Sequence, residues 1–301
     1  MRKEFLEKNV GWDQLFESNN WNKVFLTYKD KWPQQVERVK KILSEDLNKI
    51  ERTFQRPDSL PEISTAKGET LSGPLDPSAF KGLRGKTRGD YSEGQTKVDS
   101  YNWALACLGG SIAGRYSVQR SQGNKCNYFV VFPVPQKIEL SNFLEIRESV
   151  YAKGLSYLSV QNAAAHFAVL LSEKMMELFF SKSQFSDKFS GIFYFSLVQT
   201  GQQFKPSSGG NLSLYPLMEL AFSKNPVVAD VFKNWDYLFR KGSVKGCEDL
   251  GLAITNFIMH PTLESYETHA RIFLRYIIEG EVKGENYYSE NSLKEVINYA
   301  K

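Results

Sequence analysis

Apolar residues recur at three- and four-residue steps from 33 to 54, where Val36, Val39, Leu43, Leu47, Ile50 and Phe54 are separated by charged and polar positions. That period predicts an amphipathic helix. Pro33 suits its first turn, because proline there gives up only an N–H that has no acceptor within the helix. Upstream, Trp12, Leu15, Phe16, Trp21, Val24, Phe25 and Trp32 are spaced for one or two shorter helical pieces that cover this apolar face. Aromatic residues in that setting read as packing in preference to ligand contacts. From Arg56 to Asp99 the period disappears, and Pro57, Pro61, Pro74 and Pro77 alternate with Gly, Ser and Thr. The pattern predicts a long loop over 56–99, of a length that is usually functional or ordered by a partner.

Tyr101 to Gly110 is apolar with small residues and predicts a short helix. The segments GRYSVQR, SQGNK and CNYFVVFPVP then predict a β-hairpin: β-branched and aromatic runs flank the turn chemistry of Gly123-Asn124, and Pro133 and Pro135 end the second strand. Helices are expected at 141–151 and 155–182. The second carries Ala163, Ala164, Ala165, Val169, Leu170, Leu171, Met175 and Met176 around much of its circumference, which predicts a central buried helix. The strand GIFYFSLVQT runs into a second polar loop, GQQFKPSSGGN. Beyond Leu212 only helical patterning remains, near 213–223, 226–240, 244–259, 262–279 and 291–300. The expected fold class is α+β and predominantly helical. A mixed domain over 1–210 carries the hairpin and the basic loop, and a helical bundle occupies 211–301.

With 301 residues and 42% hydrophobic content, the chain can bury a substantial core as one large domain or two ordinary ones. No apolar run approaches the roughly 18–20 residues that span a bilayer, and MRKEFLEKNVGWDQ lacks the apolar core of a secretory signal. The expectation is a soluble protein of the cytoplasm with no membrane partner. Cys107, Cys126 and Cys247 are widely spaced without a C-x-x-C pair, so buried thiols are expected.

Charge changes the picture more than composition does. Between Lys81 and Lys125 stand eight basic residues against Asp90, Glu93 and Asp99, an excess of five in a chain whose net charge is +4. Everything outside that stretch therefore sums to about minus one, and the positive field is concentrated in one region suited to a polyanion. Gly82, Gly85 and Gly89 separate the cations and leave the backbone free to follow a phosphate chain. A solvated surface loop is the plainer alternative.

Catalytic motifs are weak. Gly85-Lys86-Thr87 lacks the P-loop glycine five positions before Gly85, where Phe80 stands. Gly109-Gly110-Ser111-Ile112-Ala113 approaches a nucleophile elbow, with His260 and His269 downstream, but Ser111 reads better as a small residue in a tight turn. His166, His260 and His269 show no metal-ligand spacing, and His166 reads as a satisfied core or boundary histidine. No catalytic residue, metal or cofactor is expected. A serine hydrolase built on Ser111 and a protein-interaction scaffold are the alternatives to nucleic-acid binding.

On the binding reading, Lys81, Arg84, Lys86, Arg88, Lys97, Arg115, Arg120, Lys125 and Lys205 supply phosphate affinity without base information. Gln119, Gln122, Asn124 and Asn127 near the hairpin, with Gln202, Gln203 and Asn211 in the second loop, can donate to and accept from base edges. Asn124 equally suits a simple turn. The order of elements, with the basic loop, the hairpin GRYSVQRSQGNKCNYFVVFPVP, the apolar helical middle and the terminal bundle, resembles the large subunit of a type I CRISPR surveillance complex (Cascade), closest to the I-A and I-B subtypes. The resemblance implies a non-enzymatic subunit that holds CRISPR RNA (crRNA) beside backbone and small subunits. It also implies reading of a protospacer-adjacent motif in double-stranded target DNA, with strand cutting left to a separate helicase-nuclease, or recruitment of a transposition factor. By that analogy Lys81, Arg84, Lys86 and Arg88 hold backbone while Gln122, Asn124 or Gln202 and Gln203 probe the motif.

Overall fold

Among the described residues, helices stand where the apolar period predicts them. In the computed structural model, which describes residues 32–45, 69–70, 97–120, 126–151, 153–156, 158–178, 188–200, 203–223 and 225–300, the first element is α1 (Trp32–Glu45). Its stripe of Val36, Val39 and Leu43 is buried, as the three- and four-residue spacing requires. The remainder of the expected helix, and the tryptophan-rich pieces before it, lie outside the described residues.

By its contacts the chain divides into two units, one of 1–130 with 196–207 and the other of 131–195 with 208–301. The helices of 140–178 fall in the same unit as the C-terminal bundle. In the first unit α1 packs on α2 (Ser100–Ala113), which buries Trp103, Ala104, Cys107 and Leu108. The Arg38 guanidinium lies 5.0 Å from the centre of the Trp103 ring. Asp99 starts α2 by accepting the main-chain N–H groups of Tyr101 and Asn102, two of the donors that a helix start leaves unpaired. Two short strands, β1 (Glu69–Thr70) and β2 (Lys97–Val98), pair antiparallel with Glu69 opposite Val98. The segment 56–99, expected as loop throughout, thus contributes both strands of this pair.

A four-stranded sheet follows in the order β3 (Arg115–Arg120), β4 (Cys126–Pro135), β5 (Phe189–Thr200) and β6 (Gln203–Ser213). The expected hairpin is β3–β4, although β4 continues through Pro133 to Pro135. The second polar loop, GQQFKPSSGGN, is corrected: from Gln203 it is strand β6. Pro206, Gly209 and Gly210 argue for a loop by composition, but β6 is an edge strand, and an edge tolerates a proline that cannot donate to the ladder. Ser111, expected in a tight turn, lies inside α2.

In the second unit α3 (Leu140–Tyr151) and α4 (Val160–Leu178) precede the bundle formed by α5 (Tyr215–Ala221), α6 (Val228–Gly242), α7 (Glu248–Met259), α8 (Leu263–Ile278) and α9 (Glu290–Tyr299). Helix α4 is buried continuously from Asn162 to Ser172 and packs against α3, α5, α6 and α7. It begins at Val160, five residues later than its apolar pattern suggests, because Ser159 accepts the N–H of Asn162 at the helix start. Trp235, Phe257 and Tyr299 meet edge-on or tilted at ring separations of 5.1–6.0 Å in the bundle centre. Thr262 and Ser265 close a capping box at the start of α8. The molecule is α+β and predominantly helical.

Candidate nucleic-acid interface

The sheet decides where the hairpin residues lie. The N–H of Gln136, just past the end of β4, donates to the carbonyl of Lys188, just before β5, at 2.8 Å. That bond makes β4 and β5 antiparallel, so β4 starts where β5 finishes. The strand ends Arg120, Cys126, Thr200 and Gln203 therefore share one end of the sheet, and all belong to the first unit.

The sequence-expected residues distribute around that arrangement. Arg115, Gln119 and Arg120 lie on β3, Asn127 on β4, and Gln203 and Lys205 on β6. Lys97 lies on β2 of the small pair, apart from the four-stranded sheet. Gln122, Asn124, Lys125 and Gln202 fall in the two hairpin connections, and Lys81, Arg84, Lys86 and Arg88 in the basic loop; these lie outside the described residues. Two polar stretches some eighty residues apart in sequence are therefore carried to the same end of the sheet, one on each edge strand.

The buried ionisable groups form a second cluster, in the helical unit. His166 is fully buried and stacks on Phe239 with ring centres 4.8 Å apart. Its Nδ1 accepts the Ser156 main-chain N–H at 2.9 Å, which puts the proton on Nε2, and Nε2 donates to Asp236 at 2.6 Å. Burial holds the imidazole below its ordinary pKa, against the opposing pull of Asp236. Burial pushes Asp236 the other way, but the hydrogen bonds from His166 and Arg240 outweigh it and hold the carboxyl below its usual range. The Ser156 hydroxyl turns away to Asn162 and to Ser243 at 2.6 Å. With both imidazole nitrogens committed and the serine hydroxyl elsewhere, these residues brace the helices and do not form a nucleophile–base pair. His166 is thus the satisfied core histidine expected.

His269 lies between Phe257 and Phe273, near-parallel to both at 5.5 and 5.9 Å. Tyr288 accepts from the Trp235 indole at 3.0 Å and can donate onward to His269 Nε2 at 3.3 Å. Complete burial lowers the His269 pKa to about 4, so it is neutral at physiological pH. Ser111 lies in a helix, where the strand-to-helix turn of a nucleophile elbow is missing. Among the described residues no helix is long and apolar enough to cross a membrane.

The class these elements define is an α+β protein in which a small antiparallel sheet accompanies a helical bundle. No family model matches the chain. Over 293 residues it is 30% identical to an uncharacterized protein of Archaeoglobus fulgidus, covering 93% of this chain and 79% of that protein. The chain belongs to the family of that archaeal protein.

Proposed function

We propose that this protein is a non-catalytic nucleic-acid-binding subunit of an RNA-guided surveillance complex of the CRISPR type. The observation that carries the reading is the common sheet end of Arg120, Cys126, Thr200 and Gln203. Arg120, Gln119, Asn127, Gln203 and Lys205 lie at or near that end, while Arg115 stands at the other end of β3. Cations of this kind hold phosphates, while amides can read base edges, so one sheet end combines positioning with discrimination. Double-stranded target DNA is the ligand of this end. The partners are crRNA and neighbouring backbone and small subunits, and the protein leaves strand cleavage to another factor.

The test is duplex affinity as a function of salt. Each phosphate contact contributes about 0.9 to the slope of log affinity against log salt, so Arg115→Ala, Arg120→Ala and Lys205→Ala together should reduce that slope by about 2–3. The loss should be similar for every duplex sequence, whereas Gln203→Ala or Asn127→Ala should act on only some sequences. An unchanged slope in the triple variant would sink the assignment. Purification from the native host tests the assembly: an RNA of uniform length with repeated subunits is the expected companion.

A further inference from the structure

In the second unit, Ile192 and Tyr194 of β5 are buried, while Phe193 and Phe195 lie on the opposite face of the strand. Phe193 is 36% exposed and Phe195 half-buried. Phe195 stacks with Phe132 of the neighbouring β4 at 6.4 Å and 17°, and meets Phe193 at 5.7 Å. Three rings thus spread across the two central strands of the sheet.

On the β6 side the position against Phe195 is Gly209, exposed and without a side chain. A Cβ there would come within 3.1 Å of the Phe195 Cβ and 3.0 Å of the Tyr194 carbonyl oxygen, so glycine lets β6 pass close to the base of Phe195 and adds no side chain beside it. Asn211, two residues along and therefore on the same face, is also exposed.

We propose that this face, built from Phe132, Phe193, Phe195, Gly209 and Asn211, is a stacking platform for the unpaired bases of a single-stranded nucleic acid. Every base has a π-face, so adjacent exposed rings on a sheet take successive bases with little sequence preference. Asn211 adds an amide that can donate to and accept from a base edge. Charge favours the same occupant. Segments 131–135, 189–195 and 208–213 contain no carboxylate, and Lys137 and Lys188 lie where β4 stops and β5 starts. Lys188 stands about 17 Å along β5 from Phe193, within the span of a few nucleotides. An apolar peptide would find Asn211 and bare backbone where it needs further apolar surface. The platform belongs to the second unit, and the inference does not rest on the duplex-binding end, which belongs to the first.

The experiment measures binding of the full chain to an oligothymidylate and to an abasic strand of equal length, with a duplex as control. The natural chain should prefer the strand with bases by about tenfold or more. Phe193→Leu with Phe195→Leu keeps apolar area but removes the π-faces, and should abolish that preference. Phe193→Tyr with Phe195→Tyr keeps the rings and should retain it, so a general loss of fold is separated from a loss of stacking. Duplex affinity should be unchanged in both pairs. A natural chain that binds both strands equally, or neither, overturns the platform. So does a leucine pair that keeps the preference, an outcome that would make the face an apolar surface for a protein partner. A flat salt slope on the duplex would bear instead on the hairpin end.

Discussion

Asn162 shows how much one polar residue can hold in this fold. It is fully buried at the start of α4, and its amide nitrogen donates to Thr255 Oγ1 at 2.7 Å and to the Gly251 carbonyl at 3.3 Å, both on α7. Its oxygen accepts from the Ser156 hydroxyl and from the Leu158 N–H. All the capacity of the side chain is used, and α4, α7 and the segment before α4 are tied at one point. Asn162→Ala strands the Leu158 N–H and opens a cavity, and should cost about 2–3 kcal/mol in urea unfolding. Ser243→Ala removes a hydroxyl that bonds Ser156 and the Phe239 carbonyl of its own helix, but Ser156 retains Asn162, so it should cost only about 1 kcal/mol. If the two variants unfold at the same urea concentration, the network is not acting as a unit. At this scale the sequence tells which residues are buried but not whom they meet. His166 reads as a core histidine from its alanine-rich helix, whereas its partner Asp236 stands seventy residues away on another helix.

Elements were legible where burial is one-sided. Helices α6 to α9 fall within a few residues of their apolar patterns, because a helix that covers a core on one face carries that face in its spacing. Strand β6 was not legible: serines, glycines and a proline describe a loop, and only pairing with β5 makes the segment extended. The close approach of α6 and α7 is equally silent in the sequence. A Cβ built on Gly242 would lie 2.3 Å from the Cα of Gly251, so the helices touch backbone to backbone at that crossing. Alanine is the better helix former by about 1 kcal/mol, and propensity alone predicts that Gly242→Ala stabilises. Packing predicts the reverse, because the obstacle is main chain on a neighbouring helix and cannot rotate away. Gly242→Ala should lower stability by about 1–3 kcal/mol net, seen as a lower urea midpoint. An increase would mean that the helices can separate at little cost.

For the molecule as a whole, the positive excess on which the proposed binding rests lies in the stretch 81–125, so charge is readable from the sequence while geometry comes only from the strands that adjoin it. Strand order could not be read, because it depends on β4 meeting β5 across fifty intervening residues. The helical unit instead governs how stability responds to acid. His166 and His269 are both held neutral by burial, so the unfolded chain takes up protons that the folded chain refuses. Stability then rises with pH through that interval, and it is lost as pH falls below the unfolded histidine value of about 6.5, until the folded group itself titrates. For His269 the window closes near about 4, and a shift of that size corresponds to about 3 kcal/mol. Asp236, Asp249 and Glu281 are held below their usual values, so their stabilisation is complete above about pH 5 and is lost as pH falls through and below their unfolded values near 4. Among these groups the fall between about pH 6.5 and 5 therefore belongs to the histidines, and the carboxylates join it below. His269→Phe keeps an aromatic ring between Phe257 and Phe273 and removes the buried Nδ1 that has no hydrogen-bond partner, at the expense of one long bond from Tyr288. At pH 7 the variant should differ from the natural chain by about 1 kcal/mol or less. At pH 4.5 it should be the more stable of the two by about 2–3 kcal/mol, leaving the slope due to His166. Urea titrations of both proteins across this range provide the check, and parallel curves would show that His269 is charged in the folded protein.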